Sequence, residues 1–186
     1  MINVFVDNFI HPNEERAAEI SRCIDLNKSN TNFNYHLLNS PERMSYQSIF
    51  NRINEQTLGD NVNVIANIDI YFDETVLLLN KIGENQFVAI SRYESESADL
   101  DPQTAKYSQD VWAWKGRVRI ENANFYLGVL GCDNRIAAEA QLVGYEVINP
   151  SFSIRIYHYH TICSSNDEYY NRVPGPYMNV FPQTWT

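Results

Sequence analysis

The chain has 186 residues, 44% of them apolar and 13% aromatic, enough for one full core and too few for two comfortable domains, so residues 1–186 are expected to form a single domain. A formal charge of −9, from 23 acidic against 14 basic residues, argues against nucleic acid, whose binding is driven by lysines and arginines that release counterions. No basic N-terminal segment leads into an apolar run with a cleavage site, and no apolar stretch is long enough to span a bilayer. Three distant cysteines, Cys23, Cys132 and Cys163, lack zinc-like pair spacing; a soluble cytoplasmic protein with reduced thiols is the expectation.

Ile2 to Val6 is a short β-branched run that predicts a strand. Asn13 then caps a helix with acids in its first turn and Ala17, Ile20 and Ile24 at helical spacing. Asn34 to Leu38 predicts a second strand, Pro41 a break, and Ser45 to Gln56 a second helix presenting Ile49, Phe50 and Ile53. Val62 to Ile70 is apolar enough for a strand buried on both faces. Asp73 can cap a helix carrying Val76, Leu77 and Leu79, and Phe87 to Ile90 is another strand.

The second half is less regular. Residues 94–110 predict a polar surface loop, Asp133 to Val143 a helix closed by Gly144, and Val147 to Asn149 and Ile154 to His158 late strands. The alternation of strands and helices predicts an α/β fold.

Several of these elements end on groups that can do chemistry. Asp69 closes a buried strand, where ligands of open α/β sheets bind, and a carboxylate beside a diphosphate can hold Mn²⁺ or Mg²⁺. Asp73 reads more simply as a helix cap. Asp133 can cap its helix and can also take a proton from an acceptor hydroxyl. His158 and His160 alternate with tyrosines, so both face one side of a regular strand, a weak metal signal. Arg43 and Arg92 can each fork onto a phosphate or pair with a surface acid. Trp112 and Trp114 suit either a sugar platform or the core.

The order of these segments carries a resemblance. Asn67-Ile68-Asp69-Ile70-Tyr71-Phe72-Asp73, Ala89-Ile90-Ser91-Arg92-Tyr93, Ser108-Gln109-Asp110-Val111-Trp112, Gly131-Cys132-Asp133-Asn134-Arg135, Gly144 to Ser151 and the late histidines together resemble small GT-A glycosyltransferase-like proteins of bacteria and large algal DNA viruses. It spans roughly residues 41 to 162.

The resemblance implies a GT-A mixed sheet flanked by helices and a transfer from a nucleotide diphosphate sugar, with UDP expected, to a hydroxyl on a glycan or glycoprotein. By that likeness Asp69 would bind the metal, completed by His158 or His160, with Asn67 near the ribose or phosphate. Arg43 and Tyr46 would approach the nucleotide, Asp133 would be the base if the reaction inverts, a retaining course being the alternative, and Asp110 and Arg92 would hold donor-sugar hydroxyls or phosphate. A viral member would work in the host cytoplasm. Asn67 stands where the usual motif has its first aspartate, and Cys132 where many inverting enzymes have glutamate. Two alternatives are a nucleotidyltransferase, although no Gly-rich loop with lysine follows the first strand, and a non-catalytic glycan-binding module using the two indoles.

Overall fold

In the computed structural model, which describes residues 1–9, 13–57, 59–159 and 172–185, the first half follows the expected alternation. Strand β1 (Ile2–Asn8) leads into helix α1 (Glu14–Ser29), β2 (Asn34–Asn39), α2 (Tyr46–Gln56) and β3 (Val62–Ala66). Side chains that close off backbone donors start both helices: Asn13 accepts from the Arg16 amide and Ser45 from the Ser48 amide. β1 pairs in parallel with β2 on one side and β3 on the other. The chain therefore reverses direction across the sheet beside β1, and the crevice at the carboxyl ends of β1 and β3 is the switch point where such sheets take ligands.

The Val62 to Ile70 run is not one strand. It breaks at Asn67, whose carbonyl accepts from the Ile70 amide at 3.1 Å, and resumes as β4 (Ile70–Phe72), so Asp69 sits in a tight turn rather than at a strand end. Asp73 then caps a 3-10 helix over Glu74–Lys81, accepting from the Thr75 amide at 2.9 Å. β5 (Gln86–Ser91) follows. Within the segment expected to be loop, a four-residue helix α3 (Pro102–Ala105) forms and β6 (Gln109–Lys115) begins. Helix α4 (Cys132–Leu142), β7 (Glu146–Ile148) and β8 (Ile156–His158) complete the fold.

Among the described residues the main sheet has six strands in the order β2-β1-β3-β6-β5-β7, with β6 antiparallel to both neighbours. β8 does not join it; it pairs with β4. The result is an α/β fold with a mixed sheet flanked by helices. No helix among the described residues is long and apolar enough to cross a membrane.

Alternation along the strands divides the core. Phe5, Ile65, Phe87, Ala89, Trp112 and Trp114 face α2 and α4, where they meet Tyr46, Ile49, Phe50, Ile53, Ile136 and Ala140. Val4, Val6, Val64, Val88, Ile90, Val111 and Ala113 face the other way, against Val76 and Leu79 of the 3-10 helix and Ile154 and Ile156. Both indoles are fully buried, which removes them as a glycan platform. Trp112 meets Tyr46 edge-on at 5.2 Å, and Trp114 stacks on Phe87. Gly144, with φ of 89°, ends α4 in the left-handed conformation that favours glycine.

Trp112→Ala is expected to lower unfolding free energy by roughly 3–5 kcal/mol, the cost of an unfilled aromatic cavity. Urea denaturation measures it, and a loss below about 1 kcal/mol would contradict this account of the core.

Candidate functional site

The residues that carry polar chemistry gather on one edge of the main sheet. Asp7 lies near the end of β1, Asn67 and Asp69 just after β3, Ser91 and Arg92 at the end of β5, and Asp110 near the start of β6. That β6 runs antiparallel is what brings its beginning, rather than its end, to the carboxyl edge of β1 and β3. The Asn67 amide donates to the Asp110 carbonyl at 2.9 Å, and Asn67 Nδ2 donates to Asp110 Oδ1 at 2.5 Å.

Pairing of β8 with β4 places the histidine. His158 is opposite Ile70 in register, and the Tyr159 amide donates to the Asp69 carbonyl at 2.9 Å. His158 Nε2 then lies 3.0 Å from Asp69 Oδ2, while Nδ1 lies 3.4 Å from Glu94 Oε2. Arg16, from the first turn of α1, donates through Nη2 to the same Asp69 oxygen and through Nη1 to Glu19 Oε2 at 2.8 Å. Arg92 joins Glu94 at 2.9 Å and Asp110 at 3.0 Å. The outcome is a chain of alternating sign running Glu19, Arg16, Asp69, His158, Glu94, Arg92, Asp110.

The charges shift each other accordingly. Burial pushes the Asp69 carboxyl up, but the hydrogen bond and charge of His158, aided by Arg16, outweigh it and hold the carboxyl below the usual range. Burial would lower His158, yet the Asp69 hydrogen bond and charge raise it, so the imidazole favours its cationic form. Arg92 is raised chiefly by the charge of Asp110.

Asp133 is the exception. Burial and the neighbouring charge of Asp110 push it up to about 7, against backbone amides of Asp133, Asn134 and Gln109 that favour its ionised form. It is not the cap of α4 as expected; Gly131, at φ of 84°, holds that position. The helix starts one residue earlier than its sequence implies, which puts Asp133 in the first turn and turns its carboxyl toward Gln109 and Asp110.

Not every predicted residue reaches the site. Tyr46 is fully buried among Trp112, Phe50 and Phe125, and its hydroxyl donates to Cys132 Sγ at 3.7 Å; it is a core residue and corrects the expectation that it approaches a nucleotide. Arg43 does lie at the edge, its guanidinium 4.9 Å from the Phe9 ring centre. A Cβ placed on Gly128 would be 4.0 Å from both Arg43 Nη1 and Asn67 Oδ1, so the absent side chain leaves those two groups facing one gap. Beside Arg43 a cavity of about 350 Å³ is lined by Ser40 to Ser45, Ser48, Asn124 and Tyr126. His160 lies outside the described residues, as does Cys163. Cys23 and Cys132 are buried free thiols.

Arg16, Glu19, Glu94 and Asp7 were not singled out in the sequence. Arg16 had a signal: a cation in the first turn of a helix opposes the helix dipole and needs an acid nearby. Asp7 carries the same signature as Asp69, an acid following a buried strand. Its Oδ2 accepts from the Met44 amide at 2.7 Å, and burial raises its carboxyl.

The donor set suits a hard divalent ion as part of a shell. Asp69 offers carboxylate oxygen, and His158 an imidazole nitrogen once it gives up the proton that Asp69 favours; Mg²⁺ or Mn²⁺ held beside a diphosphate takes one or two protein ligands with phosphate and water oxygens for the rest. Among the described residues no three His, Cys, Asp or Glu side chains group to hold a metal by themselves. No family model matches this chain, and no curated protein matches it.

The raised Asp133 makes a prediction about stability. Between about pH 4 and pH 7 the folded carboxyl holds a proton that the unfolded one has released, so this group makes the fold less stable as pH rises through that window. Asp133→Asn removes the dependence. The variant is expected to exceed wild type by roughly 1–3 kcal/mol at pH 8 and to match it near pH 4; identical pH profiles in urea denaturation would contradict the shift.

Proposed function

We propose that this chain is a metal-dependent glycosyltransferase of the GT-A kind, moving a sugar from a nucleotide diphosphate sugar, with UDP the expected nucleotide, to a hydroxyl on a glycan or glycoprotein. What carries the proposal is the cluster on one sheet edge, where Asp69 is paired with His158 and Arg16 while Asp133 is buried beside Asp110, whose charge helps push it up to about 7. Environments that push two carboxyls apart suit them to different tasks.

Asp133, at about 7, fits a general base that takes the proton of an attacking hydroxyl, since a base works best with its pKa near the working pH. Inversion at the anomeric carbon is the outcome that such a base serves. Asp110 lies beside it and, with Arg92, offers an acceptor and a donor to sugar hydroxyls. Arg43, facing the gap at Gly128, is in position to pair with an anion. Asp69 and His158 would hold Mn²⁺ or Mg²⁺, which when bound supplies positive charge for the departing diphosphate. The buried indoles leave a glycan-binding module without an indole platform at Trp112 and Trp114.

Thermal shift tests the proposal. UDP or a UDP-sugar with Mn²⁺, at about a hundred times its dissociation constant, is expected to raise the melting temperature by about 5 °C, and Asp69→Asn to abolish the shift. Absence of a metal-dependent shift with every nucleoside diphosphate would sink the proposal. In a transfer assay Asp133→Asn is expected to cut kcat by about 100-fold or more while leaving nucleotide binding in place.

A further inference from the structure

Asp69 Oδ2 has two cationic neighbours, His158 and Arg16. Histidine can share a metal with a carboxylate, but a guanidinium cannot: it is protonated at every relevant pH and has no lone pair to offer. Its Nη2 occupies the Asp69 Oδ2 that a metal would also use, and its charge repels an arriving cation.

The contact is built rather than incidental. Both partners are largely withdrawn from water, with 17% of the Arg16 side chain exposed and 15% of Asp69, so solvent screens the pair weakly. Arg16 is also anchored from its own helix, because Glu19, three residues on and 7% exposed, holds the other arm of the guanidinium. A pair at this spacing lies along one helix face, so Glu19 holds the arginine through a nitrogen that does not touch Asp69. Arg16 can therefore leave Asp69 without being released into solvent.

We infer that Arg16 is a two-position residue: it occupies Asp69 in the ligand-free chain, excluding a divalent cation, and transfers to a diphosphate oxygen when nucleotide enters. The inference rests on the function proposed above. An oxygen of a diphosphate bound beside Asp69 is within reach of a guanidinium already on that carboxylate, and phosphate oxygen accepts from the same N–H donor. Exchange of one anion for another keeps the arginine paired throughout. It makes metal and nucleotide binding mutually dependent, since each ligand lowers what the other must displace.

The test uses the full chain and two probes, Mn²⁺ alone followed by the electron paramagnetic resonance of the free ion, and UDP alone in chelator followed by calorimetry. Arg16→Gln is expected to bind Mn²⁺ about tenfold more tightly than wild type without nucleotide, and UDP without metal about tenfold more weakly. A purely structural role would not move the two affinities in opposite directions. Arg16→Lys, which keeps the charge but loses the fork, is expected to change both in the same sense and less, and serves if the glutamine variant fails to fold. Unchanged Mn²⁺ affinity in these variants, with wild type still binding UDP and Mn²⁺ together, overturns the inference and leaves the proposed function standing. No Mn²⁺ binding by wild type with or without UDP overturns both.

Discussion

The sharing of Asp69 between His158 and Arg16 is the contact on which the site's geometry depends. It fastens three pieces from distant parts of the chain: the first turn of α1, the turn between β3 and β4, and the end of β8. Burying these charges costs several kcal/mol each unless they are paired, and removing one partner strands the others. Such a pair is weak evidence for stability but fixes position well. The hydrogen bonds around it, from Asn27 to the Ile70 carbonyl and from Tyr157 to Asp73, hold β4 and β8 against the main body so that the charges meet.

The sheet does the rest. Parallel pairing around β1 opens a crevice at one edge, and the single antiparallel strand β6 returns a carboxylate to that edge from a part of the chain that would otherwise begin on the far side. Acids and bases then alternate from Glu19 to Asp110, while Asp133 meets a like charge and shifts toward neutrality. One edge holds an acid kept ionised and another pushed up to about 7 because their neighbours differ, although both are aspartates.

Much of the fold was legible because local and long-range demands agree. Strands of period two produced both core layers, and Asn13, Asp73 and Gly144 end elements as their chemistry directs. The break in the Val62 to Ile70 run was not legible, since its apolar residues continue across the turn and only the Asn67 carbonyl marks it. The cap of α4 is illegible for a related reason: Gly131 uses backbone conformation, which leaves no side-chain signature, while the Asp133 carboxyl offers one. The resemblance implied a nucleotide contact for Tyr46, yet tertiary packing against Trp112 decides its role. Asp69, Arg92 and His158 were legible because each stands at the end of an apolar run in the sequence, although Asp69 lies in the turn after β3, while Asp110 was marked by the resemblance. Arg16 and Glu94 escaped because a charged residue on a helix turn or in a loop is ordinarily solvent-facing, and only the fold gives it partners.

The antiparallel course of β6 has a consequence for how this chain can vary. β5 ends and β6 begins on the same edge, so residues 92–108 leave the sheet and come back to the place they left. Between Glu94 and Asp101 their length can change over generations without displacing Arg92, Glu94, Asp110 or the strands behind them, whereas an insertion between β3 and β4 would separate Asn67 from Asp69. The molecule thus has one rim open to tinkering and one turn that must keep its length, and diversification of what the site accepts is cheapest in the first.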